Sequence, residues 1–437
     1  MIGILRKITP HFLISFYHLC WAFLSAVFYR FPSQKMIVIG ITGTGGKSTV
    51  AEMVYQILEQ AGYKTACFSS IAFKIHKRQE VNRFKMTMPG RGYIQKLLKK
   101  AVDAGCRYAI IEVTSEGILQ HRHRFIDFDV AVFTNLSPEH IERHKGFDKY
   151  RKAKGKFFQA VKKIHIVNLD DENVDYFLQF PADKKYGYRI KGQESEVESQ
   201  ELEIIEAKEV LTKQNYSSFI IHNLPFKLHL LGRFNIYNSL AAICVGLSQG
   251  VNLETCKKAL ERIKIISGRM EIVISEPFRV VVDYAHTPDA LEKVYKEIEN
   301  WKLKAKGSAM ICVLGACGGG RDKWKRPVLG KIAAKHCDRI ILTNEDPYDE
   351  NPNQILSEIR SGISNFQIPN SNLYEILDRR EAIKKALSLA RSRDVVIITG
   401  KGCEPWMCVA DGKKIPWDDR QVVREEFNKL KKYEANN

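Results

Sequence analysis

The sequence has no C-x-x-C pair and no Cys/His grouping at ligand spacing. Its 10 cysteines stand singly between Cys20 and Cys408, which argues against a zinc module or a disulfide scaffold. Most are expected to be small buried hydrophobes in a reducing compartment, with Cys312 and Cys317, either side of a glycine-rich turn, the pair to check first. Internal repeats and low-complexity tracts are also lacking. Acidic charge is in deficit: 50 Asp+Glu against 68 Lys+Arg leave +18 over 437 residues. That surplus favours anionic partners, whether nucleotides, phosphorylated sugars, acidic peptides, anionic lipid or nucleic acid, without choosing among them. A composition of 45% hydrophobic and 27% charged residues excludes a disordered, collagen-like or polytopic membrane chain. The length suits about three domains at roughly 150 residues each.

One uncharged run, residues 12–29 (FLISFYHLCWAFLSAVFY), lies between Arg6 and Lys7 on one side and Arg30 and Lys35 on the other. It sits at the lower length limit for crossing a bilayer, and Ser15, His18 and Ser25 interrupt it. No small-x-small cleavage site follows, so a secretory signal fits poorly. Two readings stand side by side, a helix at a membrane surface and a helix packed on the next domain; spanning is the weaker reading. From Met36 onward strands and helices alternate, as in a mostly parallel α/β sheet. MIVIGITG enters a glycine-rich turn, residues 48–61 read as a helix, and buried strands are expected at 108–113, 130–133 and 164–167. A polar stretch at 191–209 reads as an excursion at the domain edge, 230–250 as a helix rich in small residues, and the C-terminal EEFNKLKKYEANN as a solvated helix end. A new strand series starts near Gly268, which gives three parts: 1–35, 36–266 and 267–437.

The segment GITGTGGKST places Gly43, Thr44, Gly45, Gly46, Lys47, Ser48 and Thr49 between an expected strand and an expected helix. Successive backbone N–H groups and a helix N-terminus make such a turn an anion cradle. Lys47 can neutralise the β and γ phosphates, and Ser48 can ligand Mg²⁺. The generic Walker spacing is missed by one residue, with Ile41 where a glycine is expected and Gly40 just before it. Glu112 ends the strand YAIIEV, where open α/β sheets carry ligands. Asn135, Glu139, His140 and His144 follow another strand in TNLSPEHIERH, and Lys154 follows in YRKAK. Polar and ionisable groups recurring at strand ends point to a metal site.

TGTGGKS, TNLSPEHIERH, YRKAK, LGRFNIYNSLAA, SGRME, VDYAHTPDALE, GACGGGRDKWKRP and GKGCE occur in that order over residues 36–420. This series resembles the ATP-dependent Mur ligases, closest to their tripeptide synthetases, which share the displaced loop. The resemblance implies a P-loop central domain with a mostly parallel sheet and a C-terminal Rossmann-like α/β ligase domain. It implies an enzyme that uses ATP and Mg²⁺ to join an amino acid to a UDP-N-acetylmuramoyl-dipeptide-like acceptor through an acyl phosphate, in the cytoplasm, with possible residence at the inner membrane face. Residues 43–49 with Asn238, Arg269, Asp283 and His286 would bind ATP. Ser48, Glu112 and His140 would hold the metal with Lys154, the position of a carbamylated lysine in the family. Lys47, Glu112, His140 and Lys154 would be catalytic. Thr87, Met88, Thr114, Gln120 and Arg122 would meet the acceptor, and Arg321, Glu345, Asp346, Pro347, Tyr348, Gly400 and Glu404 the incoming amino acid.

Three departures matter. Only some 35 residues precede the loop, where the family carries a uridine-binding domain of about a hundred residues, so the apolar segment is expected to bring the enzyme to a membrane or a lipid-linked acceptor. The diaminopimelate signature Asp-Asn-Pro-Arg is Glu345-Asp346-Pro347-Tyr348, which removes the guanidinium fork for a distal carboxylate. The two acids suit a distal amine, so lysine and ornithine are candidates beside diaminopimelate. The family's Ser-Ser-His and Gly-Lys-Gly-His-Glu are Thr114-Ser115-Glu116 and residues 400–404 with Cys403 in place of histidine. A ligase for a lipid-linked muropeptide or for folate is the alternative enzyme. A basic P-loop nucleic-acid binder would show clustered Lys/Arg with interleaved aromatics; none stands out, and no nucleic acid is expected.

Overall fold

The computed structural model describes residues 10–84, 86–192, 202–302, 307–364, 366 and 369–435. Apolar runs too short for helices build its first sheet. Strands β1 (Ile37–Thr42), β2 (Thr65–Phe68), β3 (Ala72–Ile75), β4 (Arg78–Val81), β5 (Tyr108–Glu112), β6 (Val130–Phe133), β7 (Ile164–Asn168), β8 (Lys184–Ile190), β9 (Leu202–Thr212), β10 (Ser217–Ile221) and β11 (Leu224–Leu228) join in the order β11-β10-β9-β8-β7-β6-β1-β5-β2-β3-β4. The run from β2 to β9 is parallel, and the pairs at both ends are antiparallel. The central strands are apolar on both faces because helices cover both. The expected strands at 108–113, 130–133 and 164–167 are β5, β6 and β7. The stretch 191–209 is corrected in part: Leu202–Thr212 is a paired strand of the sheet, held by alternate apolar residues such as Ile205 and Ala207. Residues 193–201 lie outside the described residues.

Gly40 is a packing residue of β1 and belongs to no phosphate cradle. A Cβ there would lie 2.3 Å from the Phe157 ring, so the strand passes beneath that ring only as glycine. The loop proper begins at Gly43. Among the helices, α1 (His11–Phe28) precedes the sheet, α2 (Lys47–Gln60) follows the loop, α3 (Tyr93–Asp103) precedes β5, and the short α4 (Ser115–Leu119) and α5 (Ile141–His144) follow β5 and β6. The Lys154 helix is α6 (Phe147–Ala160), with α7 (Val174–Leu178) after β7. The small-residue helix is α8 (Arg233–Ser248), buried between sheet, α2 and α9 (Leu253–Arg262). Close packing explains its composition, since a Cβ on Gly246 would meet Cys256 Sγ at 2.8 Å.

The second sheet holds β12 (Glu271–Ile274), β13 (Arg279–Val282), β14 (Met310–Leu314), β15 (Arg339–Leu342), β16 (Leu373–Glu375) and β17 (Val395–Ile398) in the order β12-β13-β17-β14-β15-β16. It is parallel except for β12. Helices α10 (Pro288–Lys302), α11 (Lys325–His336) and α12 (Pro352–Ser361) pack on one face. Helices α13 (Arg379–Leu389) and α14 (Asp419–Ala435) pack on the other. Between those two, buried Arg379 forms a bidentate pair with Asp419 (2.9 and 2.7 Å) and donates to the carbonyls of Asn344 and Thr399. One guanidinium thus ties down the loops after β15 and β17, the loops that carry residues 345–348 and 400–404. All ten cysteines are free, and seven are buried, as the packing expectation had it.

Candidate functional site

A cleft of about 1510 Å³ is lined by the P-loop, by the loops after β5 and β6, by α8, and by strand-end loops of the second sheet. It exceeds the roughly 300–1,000 Å³ of an ordinary small-ligand pocket, enough for more than one substrate. The loop is built around two glycines. Gly43 has φ +151 and a Cβ position 1.9 Å from Thr134 Oγ1; Gly46 has φ +81 and a Cβ position 2.4 Å from Asn238 Oδ1. The segment after β6 braces the turn: Asn135 Oδ1 accepts from Gly45 N at 2.9 Å, and Thr134 Oγ1 donates to Gly45 O at 2.7 Å. Thr44 Oγ1 is 3.0 Å from the Tyr150 hydroxyl. Gly46→Ala is therefore expected to weaken ATP binding by on the order of tenfold, because left-handed strain of about 1–2 kcal/mol adds to displacement of Asn238. Titration calorimetry with a non-hydrolysable analogue reads it, and unchanged affinity would remove Gly46 from the cradle.

Two lysines converge on one carbonyl. Lys47 Nζ donates to Gly43 O at 2.9 Å and Thr44 O at 2.8 Å, and Lys154 Nζ donates to Gly43 O at 2.8 Å. Burial lowers the Lys47 pKa, with Glu112 and Glu139 opposing. Burial pushes Lys154 well below the usual lysine value, and the neighbouring Lys47 charge pushes the same way. Glu112, almost fully buried, accepts from Ser70 N at 2.9 Å, and Ser70 Oγ lies 2.7 Å from Ser48 Oγ. Burial raises the Glu112 pKa against the attraction of Lys47. Ser70 is a link that the motifs did not reveal.

The hard oxygen donors of Ser48 and Glu112 suit Mg²⁺, and a divalent cation would offset the burial that disfavours the Glu112 charge. Among the described residues no group of three or more His, Cys, Asp or Glu side chains forms a cluster that could hold a metal by itself. His140 lines the cleft together with Ser48 and Glu112; its Nε2 lies 3.8 Å from Glu139, and burial lowers its pKa, with Glu139 opposing.

Glu139 also joins the two sheets' domains: His286 Nε2 lies 3.2 Å from it, and Lys325 Nζ donates to His286 O at 3.0 Å. Burial works against the Glu139 charge, yet His140, His286 and Lys325 hold its pKa well below the carboxylate range. Asp322 accepts from the backbone N–H groups of Ile141 and Glu142, 3.0 Å each. Arg269 stacks on Tyr284, 4.4 Å from the ring centre, and its Nη2 reaches Ser48 Oγ at 3.5 Å. Asp283 stands at the cleft wall, but its oxygens accept from Met270 N and Ala285 N, 2.7 Å each. That carboxylate holds a turn, and burial raises its pKa.

The acceptor candidates also gather. Arg122 donates to Met88 O and to Gln120 Oε1, and Thr114 Oγ1 caps α4 through Gly117 N at 3.0 Å. Thr87 lines the cleft beside them. Where the family histidine is replaced by Glu116, His144 Nε2 stands 3.1 Å from Ser115 Oγ, its pKa lowered to about 4 by burial.

In the third group, Arg321, Glu345, Asp346, Tyr348, Gly400 and Glu404 line the cleft, whereas Pro347 is not at its wall. Asp346 is engaged by fully buried Lys401 (3.0 and 2.9 Å) and by Cys408 N. Lys401 also donates to Glu404 Oε2 at 2.7 Å. Glu345 Oε1 accepts from Cys317 Sγ at 2.9 Å, while buried Oε2 has no hydrogen-bond partner. The two acids thus divide: both line the cleft, but Asp346 is neutralised within the protein, whereas Glu345 keeps one unpartnered oxygen beside Gly400.

Comparison with known proteins agrees with this geometry. Residues 41–246 match the Mur ligase middle domain, and residues 268–402 match the Mur ligase, glutamate ligase domain. The UDP-N-acetylmuramoyl-L-alanyl-D-glutamate--2,6-diaminopimelate ligase of Caldanaerobacter subterraneus is 37% identical over 404 residues, 91% of this chain and 79% of that protein. The ligase of the same name from Syntrophomonas wolfei is 37% identical over 413 residues, covering 92% and 81%. A solved structure of a ligase of that name superposes with TM-score 0.59 at 26% identity, over 91% of this chain and 79% of that one. The folylpolyglutamate synthase of Mycobacterium tuberculosis, with ADP and AMPPCP, shares the fold at TM-score 0.66 and 16% identity, over 87% and 92%. With the phosphate loop, its paired lysines and a cleft spanning both sheets in place, the chain belongs to the Mur ligase family of ATP-dependent ligases.

Proposed function

We propose that the protein adds an amino acid bearing a distal amine to a UDP-N-acetylmuramoyl-dipeptide-like acid during peptidoglycan precursor synthesis, with units 36–266 and 267–437 sharing the site. The observation that carries this reading is the single cleft, in which the P-loop, the Met88–Arg122 group and the Glu345 pocket meet. The acceptor carboxylate attacks the γ-phosphorus of ATP, ADP leaves, and an acyl phosphate forms. The amine of the incoming amino acid attacks the acyl carbon; a proton and then phosphate depart, leaving an amide. Lys47 offsets negative charge on the phosphoryl oxygens, and the loop amides orient them. Mg²⁺, held through Ser48 and Glu112, would supply further charge neutralisation there. Lys154 as its carbamate would add a carboxylate on the same side. Cross-domain contacts at Glu139 and Asp322 keep water from the acyl phosphate.

Diaminopimelate, lysine and ornithine share the distal ammonium that Glu345 would meet, and Tyr348 leaves no fork for a second carboxylate. The reading is tested by incubating UDP-muramoyl dipeptide, ATP, Mg²⁺ and single amino acids, with product detected by mass. Glu345→Gln is expected to lower kcat/KM for the preferred dibasic amino acid by about 100-fold while leaving norleucine unaffected, because a buried ammonium loses its counter-charge. Equal losses for both would mean that Glu345 is structural. No turnover with any amino acid would reject the proposed reaction.

A further inference from the structure

Helix α1 is amphipathic in the wrong sense for water. At 3.6 residues per turn, its inward side carries Ser15, His18, Ala22, Ser25 and Ala26. Ser15 Oγ bonds His121 Nε2 at 2.8 Å, and Ser25 sits against Gly92, where a Cβ would approach its own at 2.6 Å. The outward half carries Phe12, Phe16, Phe23, Leu24, Val27 and Phe28; Phe28 is 76% exposed, Phe12 70%, Phe16 63% and Leu24 59%. Apart from half-buried Ile14 and Leu19, small and polar residues thus face the protein and large apolar ones face outward, a contiguous apolar stripe of the kind that marks an interaction site.

Charge identifies the occupant. The first acidic residue of the chain is Glu52, while Arg6, Lys7, Arg30 and Lys35 flank the helix in sequence. Exposed Arg30 follows its C-terminus, exposed Arg91 precedes the Gly92 seat, and exposed Arg124 precedes Phe125, whose ring meets Phe23 edge-on at 5.3 Å. Asp127 is the acid nearest in sequence to this rim. An apolar stripe with a basic rim complements an anionic bilayer. A second copy docked by the same face would bring like charges together. Among the described residues no helix is long and apolar enough to cross a membrane, so the stripe fits a helix lying in the interface. Tyr17, Trp21 and Ser25 of the same helix line the cleft beside Met86 and Thr87.

We infer that α1 is an interfacial membrane helix that seats the enzyme on an anionic bilayer, with the acceptor end of the cleft at the headgroup layer. The placement of that end rests on the proposed function; the membrane seat does not. The test is flotation of the full chain with phosphatidylcholine vesicles with and without phosphatidylglycerol. The protein is expected to float with the anionic vesicles and to be released by salt. Phe16→Glu/Leu24→Glu, which lies outside the cleft wall, is expected to bind on the order of tenfold more weakly while ligating the soluble acceptor at the wild-type rate. Should that variant not fold, brominated lipid provides a second reading, quenching fluorescence in the wild type but much less in Trp21→Phe. Wild-type protein that stays with the soluble fraction in all lipids overturns the inference, as does a self-associated species that the double variant dissociates without any lipid binding. Flotation without ligation would instead remove the proposed reaction and leave the membrane seat standing.

Discussion

Lys47→Ala is expected to lower ATP-dependent phosphate release by on the order of a thousandfold, the upper end of the scale seen when a group that stabilises developing charge is removed. The fold should survive. Nζ gives two hydrogen bonds to loop carbonyls, each worth about 1 kcal/mol, and Gly43 O still accepts from Lys154. A second effect follows from Glu112. Burial raises its pKa and Lys47 is the largest influence holding it down, so removing the ammonium moves that pKa further up. Residual activity should then begin to fall at a higher pH than in the wild type, as Glu112 takes up a proton and ceases to be an anionic metal ligand. Lys47→Arg should not restore the rate, because a planar fork does not replace a point charge packed under a tight turn. The measurement is ADP formation with acceptor and amine both saturating, with circular dichroism as the check on folding. Turnover near wild type would show that the loop is not the catalytic centre.

What the sequence made legible was what is contiguous. The strand, turn and helix around residues 37–60 could be read because phosphate cradles use successive backbone amides, and α8 could be read from one unbroken small-residue pattern. Gly40 stood one residue off the generic spacing without showing why, since a glycine that admits a ring looks the same in sequence as one that admits a phosphate. Contacts between distant segments left no local signal. Ser70 between Ser48 and Glu112, Lys401 between Asp346 and Glu404, and His286 against Glu139 are all products of the tertiary fold. For the same reason Asp283 and Asp346 resembled open ligands in the sequence, although backbone amides and a buried lysine already occupy their oxygens. The hydrophobicity of α1 was plain, but its orientation became visible only when Ser15 and Ser25 were found facing inward.

Lys154→Ala is expected to reduce ligation about 100-fold, the upper range for groups that position metal ligands, and to be partly restored by formate or acetate entering the vacated space. Lys154 is almost fully buried, it shares Gly43 O with Lys47, and both burial and that neighbour's charge depress its pKa well below 10.5. A neutral amine is the form that captures CO₂, becoming a carbamate with loss of one proton. Wild-type activity should therefore fall when CO₂ is stripped from the buffer and recover with bicarbonate, whereas the variant should ignore bicarbonate and respond only to the small carboxylate. Acidification works against the carbamate because protonation removes the nucleophilic lone pair.

Linkage gives an independent readout. With the folded pKa below the unfolded one, the unfolded chain binds more protons between those two values, so this group makes stability rise with pH across that window. The contribution is complete only above the ordinary lysine value, and it disappears in Lys154→Ala. A variant with full activity, no carboxylate rescue and an unchanged pH–stability slope would remove Lys154 from the mechanism. Loss of activity with a flattened slope but no bicarbonate response in the wild type would keep the lysine as a buried amine and reject the carbamate.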